Sequence, residues 1–226
     1  MTEAGPGGPA REPVLRLRAA SRRHGGTLAL SPVSLSLHPG TAALVTGHNG
    51  SGKSTLLRIA AGLLRPTAGS RELSGRALYL LSGQGARAVE TPLAAVSTAA
   101  RLAGVAAGAA AESARAALEV VGLGDAAAQP AGTLSSGQRA RLTLALALAC
   151  PAALVCLDEP TAHLDSDGPP LVHGVVTTLR ERGSAVLVAT HDAAGPSWPV
   201  DAHLHLEDGA VRSVGRTAET ERALAV

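Results

Sequence analysis

Three stretches of this chain are apolar almost without a break: Ala42 to Val45, Ala153 to Leu157 and Ala185 to Thr190. Runs this short, without helical spacing, read as strands buried on both faces. Elsewhere apolar and polar positions alternate. Val14-Leu15-Arg16-Leu17-Arg18, and Leu28 to Leu37 with an interruption at Ser31-Pro32, predict half-exposed strands of a small N-terminal antiparallel sheet. Leu56-Leu57-Arg58-Ile59-Ala60-Ala61 predicts a helix that ends at Gly62 to Pro66, with Pro66 and then Ala68-Gly69 as the stop. A short strand pair follows, ending in Ala77 to Leu81. Further helices are expected over Gly137 to Ala149 and Pro170 to Glu181. Strands over Ala202 to Leu206 and Ala210 to Val214 flank an Asp208-Gly209 hairpin turn.

Between Thr91 and Ala131 the pattern changes to alanine with scattered Leu, Val and Gly. Leu93, Val96, Leu102 and Val105, then Ala116, Leu118, Val120 and Val121, predict two or three helices broken at Gly104, Gly108 and Gly122. Its apolar content is too high for a solvated linker, so the stretch 88–133 reads as an inserted helical subdomain. Buried strands alternating with helices give an α/β fold with a mostly parallel central sheet, which binds ligands at the carboxyl ends of its strands. A single domain is expected over 13–216. Residues 1–12, polar and rich in Gly and Pro, are expected to be a disordered tail, and 217–226 a C-terminal tail.

Composition narrows the function. With 226 residues, 46% of them hydrophobic, the chain has length for one domain with a substantial core. The net charge of +2 is spread without a lysine or arginine block, and the aromatics are Tyr79 and Trp198 alone, with no Phe. A nucleic-acid partner is therefore not expected. Cys150 and Cys156 are too few for a disulfide framework and sit in apolar sequence as small hydrophobes, which suits a reducing compartment. The most apolar segment, Leu142 to Leu157, is broken by Pro151 and shorter than a membrane span needs.

The strand ending at Val45 runs into Gly47-His48-Asn49-Gly50-Ser51-Gly52-Lys53-Ser54-Thr55 and then into a helix. Strand, glycine-rich turn and helix with Lys-Ser in register make a P-loop. Its amides and the positive end of the helix point at a phosphate chain. Lys53 is placed for the β and γ phosphates, and the Ser54 hydroxyl for the Mg²⁺ that bridges them. A second strand, Leu154-Val155-Cys156-Leu157, delivers Asp158 and Glu159 at its end. Asp158 suits Mg²⁺ held through water, and Glu159 suits orientation and polarisation of an attacking water. Leu134-Ser135-Ser136-Gly137-Gln138, just before a helix, offers a second anion site of backbone amides and a hydroxyl, or on its own a simple N-cap. His191 ends the strand Ala185 to Thr190, where a phosphate-facing group would sit.

In this order the motifs resemble those of the ATP-binding cassette (ABC) ATPases: the P-loop, a glutamine after Leu81, Leu134 to Gln138, Asp158-Glu159-Pro160-Thr161, Leu164-Asp165 and Thr190-His191-Asp192. The resemblance spans about Val14 to Gly215, and it implies ATP and Mg²⁺. It makes Gln84 the Q-loop glutamine on Mg²⁺ or the attacking water, Glu159 the catalytic base and His191 the switch histidine on the γ phosphate. It makes Asp165 the D-loop aspartate that crosses between protomers. Ser135 and Gly137, with Ser136 and Gln138 beside them, would clamp ATP held by the P-loop of the opposite protomer in a head-to-tail homo- or heterodimer.

Four positions depart from the family pattern. His24 stands where an aromatic ring usually stacks on adenine. Gln84, after Ser82-Gly83, comes about one residue later than the usual strand-to-glutamine spacing, and a slip would align Ser82 instead. Ser136 replaces a glycine, and Leu146 stands where arginine is frequent. The function implied is the ATPase subunit of an ABC transporter, working on a separate transmembrane permease from the cytoplasmic face. The alternative is a soluble ABC ATPase acting as a switch on nucleic acid, ribosomes or an assembly complex.

Overall fold

The computed structural model describes residues 12–191 and 200–216. Of the segments expected as tails, 1–11 and 217–226 lie outside them, as do Asp192 and Trp198, while Glu12 is described. In chain order the elements are β1 (Leu15–His24), β2 (Thr27–Leu37), β3 (Ala42–Thr46), α1 (Lys53–Ala61), β4 (Ala68–Leu73), β5 (Ala77–Leu81), α2 (Pro92–Leu102) and α3 (Ala107–Val120). They continue with α4 (Ser136–Ala149), β6 (Leu154–Asp158), α5 (Gly168–Glu181), β7 (Ala185–Thr190), β8 (Ala202–Glu207) and β9 (Ala210–Arg216).

Two sheets result. One is antiparallel, in the order β2-β1-β4, and the other is six-stranded, in the order β5-β6-β7-β3-β8-β9. In the larger sheet only β9 runs antiparallel to its neighbour. The strands β3, β6 and β7 are buried at every residue because each faces a core on both sides. Ala42 and Leu44 face a core shared with the helical part, whereas Ala43 and Val45 face one shared with α1 and the antiparallel sheet. Two-sided burial selects continuous apolar runs, which is why these strands stand out in the sequence.

The helical part packs on the first of these cores. From Ala140 to Ala149 every residue of α4 except Arg141 is buried, because the helix touches α2, α3, α5 and β5. Leu146 is one of these core residues: a Cβ on Gly85 would lie 2.3 Å from its Cδ1. An apolar side chain at this contact follows from that packing. Cys150 and Cys156 are buried as expected, and desolvation pushes both thiols up.

Three local expectations are corrected. Gly108 does not break a helix but lies inside α3, where an added side chain would meet open space. A helical glycine costs only about 1 kcal/mol against alanine, and the alanines around it outweigh that. Ala68-Gly69, expected to stop the first helix, instead opens β4, the helix having ended at Gly62 with φ 82°. Nor do β4 and β5 form a pair: β4 joins β1 in the antiparallel sheet, and β5 joins β6 in the parallel one.

Candidate active site

Parallel register brings the site together. In the order β6-β7-β3 the three strands end side by side, Thr46 opposite Thr190 and Asp158 opposite Ala189. Glu159, His191 and the loop Gly47–Gly52 are therefore delivered to one edge. The loop is seated closely against its supports. A Cβ on Gly47 would fall 2.2 Å from the carbonyl oxygen of Leu206, and one on Gly52 would fall 2.8 Å from that of Ala29. At the β8–β9 turn, the N–H of buried Gly209 donates to Ser51 O at 3.1 Å while its carbonyl accepts from Ser31 N at 2.7 Å. That turn is thus clamped between the loop and β2. Behind the loop, Thr46 Oγ1 lies 2.7 Å from His203 Nε2 and 3.0 Å from His205 Nδ1.

The N-cap of α1 is Gly52 at φ 102°, with no side chain to bond the first-turn amides. A helix entered this way presents its amides and its positive end to an anion. Lys53 is 5% exposed, and its Nζ donates to the carbonyls of Gly47 at 2.8 Å and His48 at 3.1 Å. It also stands 3.5 Å from Glu159 Oε1. The other oxygen of Glu159 accepts from the His191 amide at 3.2 Å and lies 2.7 Å from His191 Nδ1. One carboxylate thus joins a buried cation to an exposed imidazole. Glu159 holds φ 54°, a left-handed conformation that strains a residue with a Cβ.

Asp158 is 1% exposed, and its two oxygens differ. Oδ2 accepts from the hydroxyl of Tyr79 at 2.6 Å, while Oδ1 is buried with no hydrogen-bond partner among the described residues. Burial, and after it the bond to Asp158, pushes the Tyr79 phenol up to about 12. An orphaned carboxylate oxygen and the hydroxyl of Ser54, in the first turn of α1, are hard oxygen donors that suit Mg²⁺.

The other expected site residues sit apart. Ser135 caps α4 through a reciprocal box: its Oγ accepts from Gln138 N at 3.1 Å and its N–H donates to Gln138 Oε1 at 2.9 Å. The amides of Ser136 and Gly137 stand outside that box. No hydrogen bond or ion pair among the described residues joins Ser135, Ser136, Gly137 or Gln138 to the P-loop. Gly137 packs instead toward His163, whose carbonyl would lie 3.1 Å from an added Cβ. Asp165, on that same loop, meets Arg141 of α4 at 3.5 Å. His24 is exposed at the tip of the β1–β2 hairpin, paired with Thr27. His48 and Asn49 are exposed on the P-loop, where His48 Nδ1 lies 2.8 Å from Asn49 O. Gly50 at φ 85° and partly buried Thr55 complete the loop and the first turn of α1.

After β5, Leu81 pairs with Asp158, so the next residue, Ser82, is the one beside the carboxylate strand. Ser82 N donates to Asp158 O at 3.1 Å and its Oγ donates to Ala162 O at 3.1 Å. Gln84 is exposed, two residues further on, and lines a groove with Ala86, Ala131, Arg139 and Leu142. Buried Thr143 of α4 fixes this turn, accepting from Gly83 N at 3.1 Å and donating to Gln84 O at 2.8 Å. Thr143 and the Tyr79–Asp158 bond escape sequence reasoning, since both depend on elements far apart in the chain.

The chain is similar to known proteins. A family model described as ABC transporter matches residues 30–162. The cytochrome c biogenesis ATP-binding export protein CcmA of Rhizobium meliloti is 36% identical over 194 residues, covering 80% of this chain and 92% of its own length. The macrolide export ATP-binding/permease protein MacB of Paracoccus denitrificans is 33% identical over 91% of this chain, which spans only 34% of that longer protein. Among solved structures, the dimeric post-hydrolysis state of an ATP-binding cassette bound to ADP and Pi superposes with a TM-score of 0.80. It covers 89% of this chain and 98% of the other at 24% identity, a likeness of fold.

Proposed function

This chain belongs to the ABC transporter family as an ATP-binding, ATP-hydrolysing subunit, and on that premise we propose how its own residues share the work. The observation that carries the reading is the meeting of Lys53, Glu159 and His191 at the strand ends beside a P-loop and a buried, half-satisfied Asp158. Residues Gly47 to Thr55 hold the triphosphate, with Lys53 exchanging its carbonyl partners for the β and γ phosphates. Ser54 and Asp158 hold Mg²⁺, which when bound offsets the phosphate charge. Glu159 orients and polarises the attacking water, and His191, tied to it, faces the γ phosphate. His24 lies against the adenine.

Of the two candidates after β5, Ser82 lies nearer the carboxylate strand, its amide bonded to the Asp158 carbonyl and its hydroxyl to that of Ala162. Gln84, expected there from sequence, lines the groove between that turn and α4.

Ser135, Ser136, Gly137 and Gln138 complete the ATP site of a second copy or of a related chain, and Asp165 lies at the same junction. The head of α4, whose Ser135–Gln138 box closes on itself and makes no bond to the P-loop among the described residues, supports this dimer. No described helix is long and apolar enough to cross a membrane. Closing and reopening of the dimer acts on a separate transmembrane permease from the cytoplasmic face. The name of the MacB relative, which joins ATP-binding and permease functions in one protein, supports that partnership.

Glu159→Gln tests the mechanism. Hydrolysis should fall at least about 100-fold while ATP binding persists and the chain sizes as a dimer with ATP. A monomer with and without ATP would overturn the two-copy site. Co-purification with a polytopic membrane protein tests the partner.

A further inference from the structure

A chain of three residues runs from the P-loop helix to the buried carboxylate. Arg58 of α1 lies over the ring of Tyr79, 5.8 Å from its centroid, and its Nε donates to the Tyr79 hydroxyl at 3.3 Å. That hydroxyl in turn donates to Asp158 Oδ2 at 2.6 Å, leaving Oδ1 without a partner among the described residues. The register explains the reach. Tyr79 pairs with Cys156, two residues before Asp158, so both side chains leave the sheet on one face, the face that covers α1. On α1, Arg58 follows Ser54 by four residues, hence on the same side of the helix.

We propose that Tyr79 is a positioning residue for the metal site: by occupying Oδ2 it fixes the rotation of the Asp158 carboxylate and presents Oδ1 alone to Mg²⁺. Arg58 ties this phenol back to the helix that carries Ser54, so the two protein ligands are held in one frame. The inference rests on the reading of Asp158 and Ser54 as Mg²⁺ ligands. A carboxylate free to rotate would offer the metal either oxygen or a tilted one, and oxygen ligands of Mg²⁺ must meet near-octahedral geometry. Without the hydroxyl, Oδ2 would also be a buried anionic oxygen lacking its donor.

The test is binding, not turnover. A fluorescent ATP analogue is titrated with Mg²⁺ on the full chain and on Tyr79→Phe, which keeps the ring, with parallel measurements in chelator. Tyr79→Phe should raise the Mg²⁺ concentration at half-effect roughly tenfold, the usual weight of a hydrogen bond to a charged group, and leave metal-free affinity unchanged. Arg58→Met, at an exposed position, should move it the same way by roughly threefold, and decides the matter if Tyr79→Phe does not fold. An unchanged half-effect, or a loss equal with and without metal, would reduce Tyr79 to a packing residue and overturn the proposal. A wild-type chain whose analogue binding ignores Mg²⁺ would instead overturn the ligand assignment beneath it.

Discussion

The edge formed by β3, β6 and β7 and the head of α4 both carry backbone amides and polar side chains, yet they are built in opposite ways. At the sheet edge nothing is locally complete. Lys53 opens α1 beyond the loop that follows β3, Glu159 and His191 follow β6 and β7, and they satisfy one another because parallel register aligns those strands. The head of α4 is complete in itself, since Ser135 and Gln138 cap each other within four residues of chain. A site assembled by register can be disrupted by many residues. A self-capped terminus keeps its shape alone and can therefore be lent to another copy.

The strongest way to break this contrast is Lys53→Ala. It removes the buried cation from Glu159 and from the phosphate position together, and ATP affinity should drop by roughly 100-fold, about 3 kcal/mol, in equilibrium binding. Thr143→Val attacks the junction between the two regions. Of nearly equal volume, it leaves Gly83 N and Gln84 O without their side-chain partner and should cost about 1–3 kcal/mol in denaturant unfolding. ATP binding by the isolated chain should stay near wild type.

Ser135→Ala sharpens the contrast from the other side. The fold should lose about 1 kcal/mol with the cap, and single-chain ATP binding should be unaffected. ATP-driven dimerisation of Glu159→Gln should disappear when Ser135→Ala is added, as seen by sizing.

The smallest effect is on pH. The folded Tyr79 phenol is pushed up from 10 to about 12, so the unfolded chain releases that proton first. Its contribution to stability is whole below pH 10 and is lost as pH rises toward 12. Denaturation midpoints measured across that range should fall further for wild type than for Tyr79→Phe. The difference isolates this group from Cys150, whose thiol is also pushed up, to about 11.

Much of the sheet edge is legible in the amino-acid sequence, because two-sided burial writes itself as unbroken apolar runs. The P-loop and Asp158-Glu159 are likewise contiguous in the chain. Pairing is less legible. Leu15 meets Leu73 across the antiparallel sheet, a contact no local pattern encodes, so proximity in the chain wrongly groups β4 with β5. The turn after β5 shows the same limit. Residue type favours Gln84, the glutamine of that turn, whereas the pairing of Leu81 with Asp158 puts Ser82 beside the carboxylate strand. The capping of α4 is legible at Ser135 because an N-cap acts within one turn, but the bond from Thr143 to Gln84 spans 59 residues and is not.

Two-residue hairpin tips are ordinarily good places to graft an epitope or split a chain. The Asp208-Gly209 tip should refuse such engineering. Its glycine is stitched to the P-loop on one side and to the N-terminal sheet on the other, so foreign sequence inserted there would pry that loop from its backing.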